Sequence, residues 1–150
     1  MAGKYICSLT HFVWSTARRQ PSISPEWRDR LYSYIGGILA QKNCTLLCAG
    51  GVSDHIHLYA SLCSTLSLAD VTNAMKANSS RWIHQTFPNA KGFSWQKGYG
   101  AFSVSKSGEQ RLIEYIENQE AHHKIRSFQE EFLALLKKHH VKYDERYLWD

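Results

Sequence analysis

The first part of the chain changes from strand-like to helix-like spacing of its apolar residues. Residues 4–15, KYICSLTHFVWS, are rich in β-branched and aromatic side chains and predict a first strand. Ser24 then predicts a helix N-cap with Pro25 at the first helical position, where proline loses no helical hydrogen bond. Apolar residues recur at helical spacing from there to about residue 42. We therefore expect a strand followed by an amphipathic helix.

Two short apolar runs then predict a β-hairpin. Residues 44–50, CTLLCAG, and residues 55–62, HIHLYASL, are both strand-like, and the segment between them carries turn residues. Ser67 and Asp70 follow as a capping pair for a second helix. Pro88 lies just past the end of the helical pattern, so we expect this helix to stop before it.

The second half predicts a fourth strand over residues 92–105, GFSWQKGYGAFSVS, and two more helices. Ser107 is expected to cap a helix that runs to about His123, and Ser127 is expected to cap the last one. The order is then β-α-β-β-α-β followed by two helices, which is the ferredoxin-like plan. It predicts an α+β fold in which an antiparallel sheet carries helices on one face and leaves the other face open for a ligand.

Composition supports one globular domain that covers residues 1–150, with the C-terminal helices and tail beginning at about residue 107. Hydrophobic residues make up 43% and charged residues 21% of the chain. No apolar run approaches the ~20 residues that cross a bilayer, and the N-terminus lacks a signal-peptide layout, so a cytoplasmic protein is expected. The formal net charge is +5. A basic balance of this kind favours a polyanionic partner, and nucleic acid is the first candidate.

Two histidines lie in the third predicted strand. Because side chains at i and i+2 point to the same face, His55 and His57 lie side by side, while Ile56 and Leu58 point to the opposite, apolar face. Two imidazoles at this spacing can bind one cation. The spacing alone is equally compatible with a pair of exposed surface histidines.

A tyrosine and a glutamine lie one turn apart on the third predicted helix. Tyr115 and Gln119 are at i and i+4 and therefore share a face. Tyrosine can act as a nucleophile, and an amide oxygen is a hard ligand for Mg²⁺ or Mn²⁺. The alternative is that Tyr115 is an ordinary residue at the edge of the core. We interpret His122 and His123 as the end of the helix, while a role as ligand or proton acceptor stays open.

Together these motifs resemble the single-tyrosine HUH nucleases, and most closely the transposases of the insertion sequence 200/605 type. The segments HFVWSTARRQP, SSRWIHQTFP, FSWQKGYGAFSVS and YIENQEAHHK also look like segments of that family in the same order, so the resemblance covers nearly the whole chain. It implies that His55, His57 and Gln119 bind a divalent metal, Mg²⁺ or Mn²⁺. It further implies that Tyr115 is the nucleophile and forms a 5′-phosphotyrosine intermediate. The implied partners are single-stranded DNA with hairpins and, in a homodimer, a second copy of the chain.

Basic residues close to aromatic residues are candidates for contact with single-stranded DNA, since such sites combine phosphate contact with base stacking. These candidates are Arg18, Arg19, Lys76, Arg81, Lys97 and Lys106, and the alternative for each is an ordinary solvated charge. Rival functions are a domesticated relative that processes chromosomal repeats, a relaxase or replication initiator, and a non-catalytic DNA-binding module. A small zinc hydrolase is a weaker rival because Asp54 is the one carboxylate next to the histidines in sequence.

Overall fold

A four-stranded antiparallel sheet forms the centre of the molecule. The computed structural model describes residues 3–150, and residues 1 and 2 of the predicted domain lie outside the described residues. The strands are β1 (Leu9–Ser15), β2 (Thr45–Gly51), β3 (His55–Ser61) and β4 (Gly100–Ser103). Their order in the sheet is β2-β3-β1-β4. The α+β fold class, with β2 and β3 as a hairpin, is confirmed.

Two helices, α1 (Arg28–Gln41) and α2 (Leu68–Thr86), cover the first face of the sheet. Ile56 and Leu58 of β3 are fully buried against this layer, as their alternation with the histidines predicts. The predicted cap of α2 is confirmed, because Ser67 Oγ accepts a hydrogen bond of 3.0 Å from the backbone N–H of Asp70. The main core therefore lies between the sheet and these two helices, where its larger members are Phe12, Trp14, Leu31, Ile35, Met75 and Ile83.

Three further helices cover the second face, which the sequence predicted to be open. They are α3 (Glu109–Glu117), α4 (Gln119–His122) and α5 (Phe128–Lys138). Ile116 of α3 packs with Tyr59 of β3, and both side chains are buried. As a result His55 and His57 are fully buried, and the alternative of exposed surface histidines is wrong.

Several predicted boundaries move because tertiary contacts decide where the regular structure begins. The first strand starts at Leu9 where residue 4 was expected, and α1 starts at Arg28 after a turn. The fourth strand is reduced to Gly100–Ser103, and Trp95 forms only an isolated bridge with Thr16. These changes shorten the elements without altering their order.

The predicted single helix from residue 107 to about His123 is divided in two. Ser107 does not cap it, since Gly108 holds the N-cap position of α3 and makes no side-chain cap. Helix α3 ends at Glu117, with Asn118 between it and α4. By contrast the cap of α5 is confirmed, because Ser127 Oγ accepts a hydrogen bond of 3.2 Å from the backbone N–H of Glu130.

None of the helices within residues 3–150 combines the length and the hydropathy that crossing a bilayer requires.

Candidate active site

The two histidines of β3 are held by partners that fix the direction of each ring. His55 Nδ1 lies 2.7 Å from an oxygen of Asp54, and His57 Nδ1 lies 2.8 Å from His11 Nε2. A hydrogen bond at one ring nitrogen sets the orientation and tautomer of the imidazole. Both Nε2 atoms are thereby directed to the same buried point between the sheet and the C-terminal helices.

Glu131 of α5 meets both histidines at that point. Its Oε1 atom lies 2.8 Å from His57 Nε2 and 3.3 Å from His55 Nε2. His123 Nε2 approaches the same oxygen at 3.3 Å. The side chain of Glu131 is 2% exposed. Three imidazole nitrogens from two distant segments therefore converge on one buried carboxylate oxygen.

Gln119 completes the cluster as the first residue of α4. Its Oε1 atom lies 3.1 Å from His55 Nε2 and 3.0 Å from His123 Nε2. Its amide nitrogen donates a hydrogen bond of 3.2 Å to Oε2 of Glu131. The amide oxygen thus faces the imidazoles, as a metal ligand at this position must.

Tyr115 of α3 lies at the edge of the cluster. Its hydroxyl donates a hydrogen bond to Glu131 Oε2, and its ring centre is 5.6 Å from that of His57. The tyrosine is only partly buried, so its hydroxyl lies where the cluster meets the surface. Within one chain the fold therefore brings together Tyr115, both histidines and Gln119, which are the predicted catalytic residues.

Opposing effects set the charges in the cluster. Burial alone would raise the pKa of Glu131, but hydrogen bonds with His123, His55 and His57 outweigh it and hold that pKa well below its usual range. Burial lowers the pKa of His55, yet hydrogen bonds to Asp54 and Glu131 prevail and raise it to about 9. Burial also lowers the pKa of His57. An ionised glutamate beside a protonated His55 and a neutral His57 follows from these shifts.

The tyrosine is kept neutral by the same surroundings. Burial raises the pKa of Tyr115, and the hydrogen bond to the Glu131 carboxylate raises it further. A phenolate would have to form beside a negative charge. Attack by this hydroxyl therefore needs additional positive charge in the cluster.

The donor atoms fit a divalent cation. His55, His57, His123 and Glu131 each offer one ligand atom, and these atoms lie within 4.8 Å of one another. Two ligand atoms that each lie ~2.1 Å from an ion, at right angles to one another, are ~3 Å apart. The distances from the oxygens of Glu131 and Gln119 to the imidazole nitrogens are of that length. Metal-binding histidines usually make a hydrogen bond through the ring nitrogen that does not bind the metal. Asp54 and His11 hold His55 and His57 in this way.

Sequence reasoning missed Glu131, and it treated His123 mainly as the end of the helix while leaving a ligand role open. His123 is the C-cap residue of α4 and lies one helical turn after Gln119, which brings its ring to the same cluster. Glu131 lies on the buried side of α5 beside Phe132. A carboxylate within an apolar stripe is the signal that could have identified it, since unpaired carboxylates are rarely buried.

Two of the three predicted DNA-contacting lysines make contacts within the protein. Lys76 Nζ donates hydrogen bonds to backbone oxygens of Gln96, Lys97 and Gly98, and burial lowers its pKa to about 8. Lys106 Nζ forms an ion pair of 2.9 Å with Glu109. The side chain of Lys97 lies exposed in the loop before β4.

The three predicted arginines lie outside the cluster. Arg18 and Arg19 have left-handed backbone angles, with φ of 53° and 54°. The guanidinium of Arg19 lies 5.5 Å from the ring centre of Trp149. Arg81 is exposed on α2, where it donates a hydrogen bond of 3.4 Å to Asn78. Contact of these six residues with DNA stays a prediction.

Known proteins are similar to this chain over most of its length. A family model described as IS200-like transposase matches residues 5–119. The ISDra2 transposase TnpA of Deinococcus radiodurans is 26% identical over 114 residues, which cover 73% of this chain and 81% of that protein. The matched family segment ends at Gln119, so His123 and Glu131 lie beyond it.

Two solved structures have the same fold. A crystal structure of a transposase-family protein from Deinococcus radiodurans R1 has a TM-score of 0.64 and 26% identity, and covers 79% of this chain and 97% of that one. A REP-associated tyrosine transposase bound to a REP hairpin has a TM-score of 0.61 and 13% identity, and covers 82% of this chain and 73% of that one. The second likeness concerns the fold alone.

Proposed function

The chain belongs to the IS200-like transposase family, and we propose that it cuts and rejoins single-stranded DNA with Tyr115 as the nucleophile. The observation that carries the proposal is the hydrogen bond from the Tyr115 hydroxyl to Glu131. The other oxygen of that carboxylate lies among three imidazole nitrogens. A nucleophilic oxygen therefore lies beside donor atoms of the type that hold a catalytic cation.

The proposed step is a transesterification. The Tyr115 oxygen bonds to the phosphorus while the bond from phosphorus to the 3′ oxygen breaks, which leaves a 5′-phosphotyrosine and a free 3′-hydroxyl. Glu131 Oε2, which already accepts the hydrogen bond of the phenol, is the nearest acceptor for its proton and can return that proton to the departing 3′ oxygen, which becomes the hydroxyl. Because the ester keeps the energy of the broken bond, the 3′-hydroxyl of another strand can reverse the step without ATP.

We propose that Mg²⁺ or Mn²⁺ is held by His55, His57 and Gln119, with Glu131 and His123 as additional ligands. When bound, the ion would polarise a phosphate oxygen and stabilise the negative charge that develops during attack. The mixture of imidazole nitrogens with amide and carboxylate oxygens favours Mn²⁺ over Mg²⁺. Asp54 and His11 would keep the two rings aimed at the ion.

The proposed substrate is a single strand that contains a hairpin near an element end. The family resemblance supports this, and the REP-associated relative is described as bound to a hairpin. A homodimer is proposed on the same resemblance, although one chain already places Tyr115 against His57. We also propose a cytoplasmic location, because the proposed reaction acts on cellular DNA.

The test is covalent capture of DNA with single-stranded oligonucleotides taken from the sequence that flanks the gene. With Mn²⁺ we expect the wild-type protein to form a DNA adduct that survives denaturing electrophoresis, and Tyr115→Phe to form none. Tyr147→Phe, which changes an exposed tyrosine in the C-terminal tail, serves as the matched control and should keep the adduct. An adduct with Tyr115→Phe would overturn the assignment. Binding without any adduct in the wild type would favour the non-catalytic module.

A further inference from the structure

A cleft with a volume of about 520 Å³ opens beside the candidate active site. It is bounded on one side by β4 and α3 and on the other by α5, and both Tyr115 and Glu131 are among its lining residues. A ligand in the cleft would therefore lie next to the hydroxyl that we propose as nucleophile. The volume is in the usual range for ligand sites, roughly 300–1,000 Å³.

Three positively charged side chains that line the cleft have no partner of opposite charge. Arg111, Arg126 and Lys138 are exposed, and within residues 3–150 their side chains make no hydrogen bond or ion pair. Glu131 is the one carboxylate in the lining, and it is turned to the imidazoles. The cleft consequently presents unpaired positive charge, which attracts a polyanion.

Apolar and aromatic groups lie between these charges. The ring of His139 packs on that of Phe102 with their centres 4.6 Å apart, and both residues line the cleft together with Leu112 and Leu135. Sites for single-stranded nucleic acid combine cations that contact the backbone with rings or apolar groups that contact the bases. The lining has both components.

We infer that this cleft holds the single-stranded DNA segment next to the scissile phosphate, with Arg111, Arg126 and Lys138 contacting its phosphates. The inference rests on the proposed function, because it identifies the substrate path to Tyr115. It assigns strand binding to residues other than the six predicted from sequence. Lys76 and Lys106 of that set already have partners, whereas the cations of the cleft have none within the described part of the chain.

The test measures how strongly salt weakens binding of a fluorescent oligothymidylate to metal-free protein, so that no cleavage occurs. The slope of log affinity against log salt changes by ~0.7 for each phosphate contact to a single strand. We expect the double variant Arg111→Ala/Arg126→Ala to bind more weakly and to have a slope that is shallower by roughly 1.4. Both side chains are exposed, so the variant should fold normally.

The matched control is Lys42→Ala/Lys91→Ala, which removes the same charge from residues that do not line the cleft. It should keep the wild-type slope. An equal change in both double variants, or an unchanged slope in the arginine variant, would overturn the inference. If the wild type forms the Tyr115 adduct while the slopes do not differ, only the cleft assignment fails. If the slopes differ while no adduct forms, the cleft stands and the proposed catalysis fails.

Discussion

At the scale of single residues, the site depends on histidines whose two ring nitrogens have separate tasks. One nitrogen of His55 and one of His57 are bound by Asp54 and by His11, and the other nitrogen of each points at Glu131. The carboxylate then joins this buried group to the Tyr115 hydroxyl. A change at Glu131 should therefore alter metal binding as well as the tyrosine.

We predict that Glu131→Gln lowers the affinity for Mn²⁺ by at least on the order of 10-fold, since loss of even an outer partner that orients a ligand costs on the order of 10–100-fold. The amide keeps the shape of the side chain but removes the negative charge that three imidazoles face. Calorimetric titration of Mn²⁺ into the protein measures the effect without any need for DNA. Glu130→Gln is the matched control, since that residue is the exposed neighbour on the same helix. Equal affinities in the two variants would exclude Glu131 from the metal site.

The contribution of His55 to the stability of metal-free protein should fall as the pH rises from 6.5 to 9. The folded pKa of His55 is about 9, against 6.5 as its ordinary value. A raised pKa means that the folded state binds the extra proton, so the stabilisation is complete below pH 6.5 and is lost as the pH passes 9. The shift corresponds to at most roughly 3 kcal/mol. His57 and His11 have lowered pKa values and stay neutral across this range.

Urea unfolding in the presence of a chelator, at both ends of that pH range, measures this loss. Asp54→Asn removes one of the two carboxylates that raise the pKa of His55, so its loss of stability should be smaller than that of the wild type. Two other groups act in the opposite direction: Cys63, whose pKa is lowered to about 7 by hydrogen bonds that the Thr65 backbone N–H and hydroxyl donate to its sulfur, and Lys76, whose pKa burial lowers to about 8. Both are common to the two proteins, so the difference between wild type and Asp54→Asn isolates His55. The same loss in both would show that His55 does not carry the effect.

At the scale of elements, the site depends on how closely α3 lies on the sheet. A Cβ atom added to Gly50 of β2 would be 2.3 Å from the backbone oxygen of Ile116. Only glycine leaves room for this approach. Because Ile116 follows Tyr115 directly, the contact also sets the position of the nucleophile.

We predict that Gly50→Ala destabilises the protein by about 1–3 kcal/mol, the usual cost of overpacking, and slows adduct formation by displacing Tyr115. Gly37→Ala is the control: nothing lies within 4 Å of an added Cβ there, and the residue is inside α1. It should raise stability by roughly 0.5–1 kcal/mol. Thermal unfolding of both variants, with adduct formation followed in parallel, gives the comparison. A Gly50→Ala protein as stable and active as the wild type would contradict the close packing.

The elements themselves were largely predictable, because their signals are local. The alternation of Ile56 and Leu58 with the histidines and the caps at Ser67 and Ser127 each need only neighbouring residues. These signals did not predict that helices cover the second face of the sheet. It depends on contacts such as that of Ile116 with Tyr59, which join segments far apart in the chain.

At the scale of the whole molecule, the site is assembled from segments that are distant in sequence. The histidines come from β3, Tyr115 and Gln119 from α3 and α4, and Glu131 from α5. The two histidines, Tyr115 and Gln119 were found through their spacing and through the family resemblance. Glu131 has no such motif and lies beyond the matched segment, so only the fold shows that it belongs to the same cluster.

The most direct measurement is to identify the residue that carries DNA after reaction with a single strand and Mn²⁺. Trypsin cleaves after Arg111 and Lys124, which releases residues 112–124, LIEYIENQEAHHK. Tyr115 is the one hydroxyl in that peptide, which also lacks cysteine. Mass spectrometry after nuclease digestion should find a nucleotide phosphate on Tyr115. A nucleotide on any other residue, or an adduct that persists when Tyr115 is replaced by phenylalanine, would contradict the account.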